Sequence, residues 1–173
     1  MKKYLFFVMI VAFSLSCGSK KAGVYFDASS MPVQTVHEAK TMFTDRGELQ
    51  MLLEQPVLHN YDDEDKTQIS PRGIELSFYD KETHKQQVYL RADSAVNSQA
   101  SKLMRFYKNV VIYDYRRNDT IRTETLYWDQ NKRKIYSNTR TVQSSATMLV
   151  KGTGFDADEQ MNNVEIRNPD FSF

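Results

Sequence analysis

The chain has 173 residues, a formal net charge of +1, ten Phe and ten Tyr. That is enough chain for one domain with a real core, and the aromatic content argues against a disordered polymer. The near-zero charge excludes a global polyanion partner, so no nucleic acid is expected.

Lys2 and Lys3 precede an apolar run from Tyr4 to Leu15. A spanning helix needs about 20 apolar residues, so this run is too short. Basic, then apolar, then small residues is the layout of a secretory signal. The run ends in Ser14-Leu-Ser-Cys17, which resembles a bacterial lipobox, and Cys17 is the single cysteine of the chain. A lone cysteine in an exported protein has no disulfide partner within the chain. Residues 1–16 therefore read as a lipoprotein signal peptide, Cys17 as the lipidated residue and 17–34 as a tether. Such a tether reaches some 55 Å at most. Residues 35–173 read as one folded domain.

Val33 to Phe43 is a plausible first strand, with a helix as the other reading. Asp45-Arg-Gly47 is a turn, because Gly accepts positive φ. Leu49, Met51 and Leu53 then alternate with polar residues, the mark of a half-buried strand. Asn60 to Lys66 is an acidic loop without the spacing or central Gly of a calcium site. Ser70-Pro-Arg-Gly73 introduces the clearest strand, in which Ile74, Leu76 and Phe78 share one face. A turn at Asp80 to His84 returns Val88, Leu90 and Ala92 to that face. Met104, Phe106, Val110 and Ile112 continue it, and Arg116 to Asp119 is a polar turn. Leu126 and Trp128 pair with Ile135 across Asp129 to Arg133. Val142, Met148 and Val150 are expected to complete the inward set. Strands at 8–12-residue spacing with turns between them predict an antiparallel all-β sandwich, jelly roll or barrel.

Charge is uneven. Residues 102–140 hold ten Lys/Arg against four Asp/Glu, and residues 35–101 hold seven against twelve. Lys132-Arg-Lys134 is either a solvated turn or a rim for phosphorylated groups. His37, His59 and His84 are far apart and no cysteine pair exists, so no metal site is expected. No phosphate loop or nucleophile elbow is present. No catalytic residue and no cofactor are expected.

Small phrases recur. Ala92-Asp93 and Asn109-Val-x-Ile112 are echoed by Ala157-Asp158 and Asn163-Val-x-Ile166. Repeated strand-turn phrases suggest stacked β-structure. With Pro71-x-Gly-Ile-x-Leu-x-Phe-Tyr-Asp80, Leu90-x-Ala-Asp-x-Ala95, Thr123-x-Thr-Leu-x-Trp-Asp129, Lys134-Ile-Tyr-Ser137 and Gly152-x-Gly-Phe-x-Ala-Asp158, they resemble the LptC family over Thr35 to Arg167. The resemblance implies a β-jelly roll of two antiparallel sheets with an apolar groove. It further implies a periplasmic protein that takes lipopolysaccharide from the inner-membrane ABC transporter subunits and passes it to an LptA-like bridge protein. Well-known family members keep a membrane helix where this chain has its lipobox. The anchor would then be lipidated Cys17, in the inner rather than the outer membrane.

Under that reading, Ile74, Leu76, Phe78, Val88, Leu90, Met104, Phe106, Val110, Trp128, Ile135 and Val150 line the groove. Asn163, Val164 and Ile166 form a partner-facing edge. Another function class fits a lipoprotein with exposed Tyr107, Tyr113 and Tyr115: glycan binding, or carriage of other acylated cargo. An alkyne fatty acid fed to cells should label the wild type and not Cys17→Ala. Equal labelling of both would refute lipidation at Cys17.

Overall fold

The computed structural model describes residues 31–170. The signal segment, Cys17, most of the tether and the tail from Phe171 lie outside the described residues. Eleven strands follow in chain order: β1 (Gln34–Asp45), β2 (Glu48–Asn60), β3 (Gln68–Ser70), β4 (Ile74–Tyr79), β5 (Gln86–Ala92), β6 (Ser94–Ser98), β7 (Leu103–Asp114), β8 (Asp119–Asp129), β9 (Lys134–Ser144), β10 (Leu149–Asp158) and β11 (Glu165–Ile166). Every pairing is antiparallel. The all-β expectation holds, and the first segment is a strand rather than a helix. Arg46 and Gly47 have φ of 53° and 89°. Two positive φ values make the tight β1–β2 turn whose twist suits a hairpin.

The chain is a meander of long strands, each broken near its middle. β2 pairs with β4 through Met51–Glu54 and with β3 through His59 and Asn60. β7 pairs with β6 through Leu103–Tyr107 and with β5 through Val111–Asp114. Between those halves of β7 lies a bulge, where Lys108 and Asn109 have φ of 63° and 48°. β8 slips against β9 between Thr123 and Tyr127, and β10 between Thr153 and Phe155. Bulges bend strands and sharpen twist, so together these breaks form a spine across the sheet.

The register demonstrates the fold-back. Phe78 lies opposite Val88, which lies opposite Asp114, which lies opposite Asp119. Trp128 is nine residues further along β8 than Asp119. On a flat sheet that separation alone is roughly 30 Å at about 3.3 Å per residue. Yet the Phe78 and Trp128 rings meet edge to face with centroids 6.0 Å apart. The sheet therefore closes on its own apolar face, giving two leaves joined along the spine. Between them sits one core, in which Leu76, Phe106, Leu126 and Phe155 are fully buried.

Bending frees backbone groups, and hydroxyls collect them. Thr123 Oγ1 lies 2.8 Å from Ser137 Oγ and 2.9 Å from Thr139 Oγ1. The Thr125 amide donates to Thr139 Oγ1 at 3.2 Å, and the Thr139 amide donates to Ser137 Oγ at 3.1 Å. Thr141 Oγ1 donates to the Thr139 carbonyl. Inward positions on β9 are thus taken by Ser137, Thr141 and Gln143, all buried. This corrects part of the expected inward set. Val142 pairs with Arg122 and Lys151 on the outward face, because a polar spine claims the inward parity there. Met148 is 46% exposed beside the β9–β10 turn.

Phe106→Ala should cost about 3–5 kcal/mol by opening a cavity between the leaves, whereas Val142→Ala should cost less than about 1 kcal/mol. Urea unfolding of both variants measures the difference. Equal losses would contradict this register.

Candidate functional site

The candidate site is the apolar face enclosed by the two leaves. All eleven residues expected in the groove lie on that face. Ile74, Leu76, Val88, Leu90, Met104, Phe106, Val110 and Ile135 are buried, and Phe78, Trp128 and Val150 are half-buried. Ser77, on the opposite parity, is nonetheless covered, because Gln86 Nε2 donates to its hydroxyl at 2.9 Å.

The interior is clasped towards one end of the meander and runs out onto an exposed edge strand at the other. At the β1 end, Phe43 pairs with Met51, which pairs with Phe78. Phe43 is 46% exposed, while Met51 and Leu53 are partly buried and pack against the core. An apolar path thus leads from the outer edge strand to the Phe78–Trp128 contact. Trp128 Nε1 donates to Glu159 at 3.0 Å, which satisfies the indole without opening the core.

Towards the other end a guanidinium clasp joins the leaves. Asp114 and Asp119 oppose each other directly at the end of the β7–β8 ladder. Arg116 and Arg117, in the turn between them, both reach Asp114 Oδ2, at 2.8 and 3.0 Å. They also cross to the β10–β11 loop. Arg116 donates to the Gln160 carbonyl at 2.7 Å and to Asn162 Oδ1 at 3.0 Å. Arg117 donates to the Met161 carbonyl at 2.7 Å and the Asn162 carbonyl at 3.1 Å. Beneath them Met161 is 1% exposed, with φ of 57°. Burial pushes the Asp114 pKa up, but hydrogen bonds from Arg116 and the charges of Arg116 and Arg117 outweigh it and hold the carboxyl below its ordinary value. The clasp escaped sequence reading. Its one local signal was a pair of arginines set between two aspartates.

The repeated phrases acquire a physical meaning here. Asn109 Nδ2 donates to Asp93 at 2.7 Å, and Asn163 Nδ2 donates to Asp158 at 3.1 Å. Each Ala-Asp and Asn-Val phrase thus brings an aspartate and an asparagine together. The first pair lies at the spine; the second shapes the loop under the clasp. Lys132-Arg-Lys134 is not a free basic rim: its members pair with Asp129, Glu159 and Asp156 at 2.8, 3.2 and 2.7 Å. Tyr113 and Tyr115 meet edge to face, centroids 4.6 Å apart. Tyr107 lies beyond the bulge, opposite Thr125.

A cleft of about 1200 Å³ also crosses the spine. One row of pairs contributes Lys40, Glu54, Glu75, Arg91, Val111 and Arg122 to its lining. Lys40 and Glu54 are ion-paired at 2.6 Å. Its walls are mixed, because Ile74, Val110 and Val142 line it beside those charged side chains.

The two sheet edges differ. β1 pairs with β2 alone and offers twelve residues of strand. At the other end β11 has two residues. Asn163 and Val164 precede it in the loop, and Ile166 packs against the core.

A family model described as lipopolysaccharide-assembly, LptC-related, matches residues 8–168. The chain belongs to the LptC family. No curated protein matches it. Membership gives this LptC-family protein a role in lipopolysaccharide transport, and the family is a periplasmic transport component rather than an enzyme family. Among the described residues no helix is long and apolar enough to cross a membrane.

Because the folded-state pKa of Asp114 is depressed, its stabilisation is present above the ordinary Asp value of about 4 and is lost as pH falls through the folded value. Asp114→Asn should cost about 1.5 kcal/mol at pH 7 by removing the buried carboxylate that two partly exposed guanidinium groups share. It should also flatten the acid limb of the urea-stability profile below pH ~4. A variant as acid-sensitive as the wild type would show that another group governs that limb.

Proposed function

We propose that this LptC-family protein shields the acyl chains of lipopolysaccharide between its two leaves. It receives the molecule from the inner-membrane ABC transporter subunits and passes it to an LptA-like bridge protein. Each methylene exposed to water costs about 0.8 kcal/mol, so a several-chained amphiphile needs a continuous apolar passage. The observation that carries this reading is the asymmetry of the interior. Its apolar face runs out to an exposed Phe43 on β1 and is clasped by Arg116 and Arg117 at the other end.

Chains enter from the β1 side, part the Phe78–Trp128 contact and take the place of core contacts as the leaves separate. Sugars and phosphates stay in water outside. Both edges dock partners by strand addition, the β1 edge facing the transporter and the 163–166 edge facing the bridge. Lipidated Cys17 holds the protein at the inner membrane, with residues 17–34 as tether.

A photo-crosslinking residue at Leu76 or Phe43 should capture lipopolysaccharide while the transporter consumes ATP. The same residue at Glu75, which faces outward, should capture little. Equal capture at inward and outward positions would reject the passage.

A further inference from the structure

We infer that Arg167 is the positioning residue that seats the last strand as a docking edge, acting through a socket made by Gly152 and Gly154. The inference rests on the reading that a partner strand adds at this edge. β11 itself makes only two register pairs with β10, Phe155 with Ile166 and Asp156 with Glu165. Beyond it the chain stays beside β10. The Thr153 amide donates to the Arg167 carbonyl at 2.9 Å, the Arg167 amide to the Gly154 carbonyl at 3.0 Å, and the Asp170 amide to the Lys151 carbonyl at 2.7 Å. So short a ladder needs another fastening.

Arg167 supplies it. Its guanidinium crosses β10 and ends on β9, where Nη2 donates to the Ser137 carbonyl and, at 2.7 Å, to Asn138 Oδ1. Its Nε lies 3.2 Å from Asp156 Oδ2. That approach is too bent for a hydrogen bond and acts as an ion pair. Two positions of β10 lack side chains where the terminal segment approaches. A Cβ on Gly154 would meet the Ser137 carbonyl oxygen at 2.4 Å and Arg167 Nη2 at 2.8 Å, and one on Gly152 would meet the Arg167 carbonyl oxygen at 2.4 Å and Ile166 Cγ2 at 2.5 Å. Gly154 also has φ of 89°, at the slip between Thr153 and Phe155. The Gly-x-Gly phrase is therefore the seat of the terminal strand.

The seat decides what a partner meets. Arg167 turns its own amide and carbonyl inward to β10. By alternation, the neighbouring Ile166 turns its amide and carbonyl outward. Asn168, with φ of 44°, leaves the extended strand, so the outward ladder ends there. The edge accepts a short extended segment of another β-protein, in a register set by where Arg167 holds the strand.

The full-length protein, its Arg167→Ala variant and its Gly154→Ala variant are compared on three readouts. These are amide exchange at Thr153 and Asp170, the urea midpoint, and capture by immobilised, purified LptA-like bridge protein. Arg167→Ala should speed exchange at both amides at least about tenfold, weaken capture by about the same factor and leave the midpoint in place. Gly154→Ala should reproduce the exchange and capture defects and also lower the midpoint, because its φ of 89° is strained and its Cβ meets the Ser137 carbonyl; the midpoint criterion is read on Arg167→Ala. Undiminished capture of Arg167→Ala overturns the inference, as does capture lost together with a global fall in the midpoint, which marks a merely structural arginine. Failure of the wild type to be captured overturns the docking reading itself.

Discussion

An antiparallel sheet with one apolar face must cover that face, and this protein covers it with the sheet itself. Everything else depends on the bend that makes this possible. Strands of ten to thirteen residues, such as β2, β7 and β10, are long enough to serve both leaves. The break in each falls where it turns from one leaf to the other. Without the break, the inward row through Leu76, Leu90 and Ile112 would face water, and no second layer exists elsewhere in the described chain to hide it.

The bend has its own chemistry. Bulges leave amides and carbonyls that a regular ladder would pair, and a buried group left unpaired costs about 1–3 kcal/mol. The hydroxyls of Thr123, Ser137, Thr139 and Thr141 meet that demand on β8 and β9, while Asn109 binds Asp93 where β5 gives way to β6. The hydroxyl groups thus let the strands bend without leaving buried backbone groups unpaired.

Polarity along the meander follows from the same geometry. A sheet folded in this way still has a first and a last strand. Here β1 is long and lies beside the unclasped end of the core, while the terminal strand is short and lies beside the guanidinium clasp. Exposed edges invite pairing with other chains. One edge of the meander is thus long and exposed, and the other is short and clasped.

Much of this was legible in the sequence, because alternation is local. A side chain's face in a strand depends only on parity, so Ile74, Leu76, Phe78, Val88 and Leu90 fell on one face before any contact was known. Turn residues were equally local, as at Arg46-Gly47. What the sequence could not carry was where parity is reset and what the turns then touch. Val142 is apolar and was expected inside; the polar seam at the bend assigns its neighbours Thr141 and Gln143 to the interior instead. Arg116 and Arg117 read as a polar turn, yet they clasp the leaves by binding residues 44 to 46 positions away. Lys132-Arg-Lys134 was open to two readings, a solvated turn or a rim for phosphorylated groups, and only the fold brought its carboxylate partners into reach. The sequence by itself determined the long strands, the inward faces of β4 and β5 and the family. Only the tertiary structure decided which face closes on which, because that depends on a few bulged residues per strand and on contacts between segments far apart in the chain.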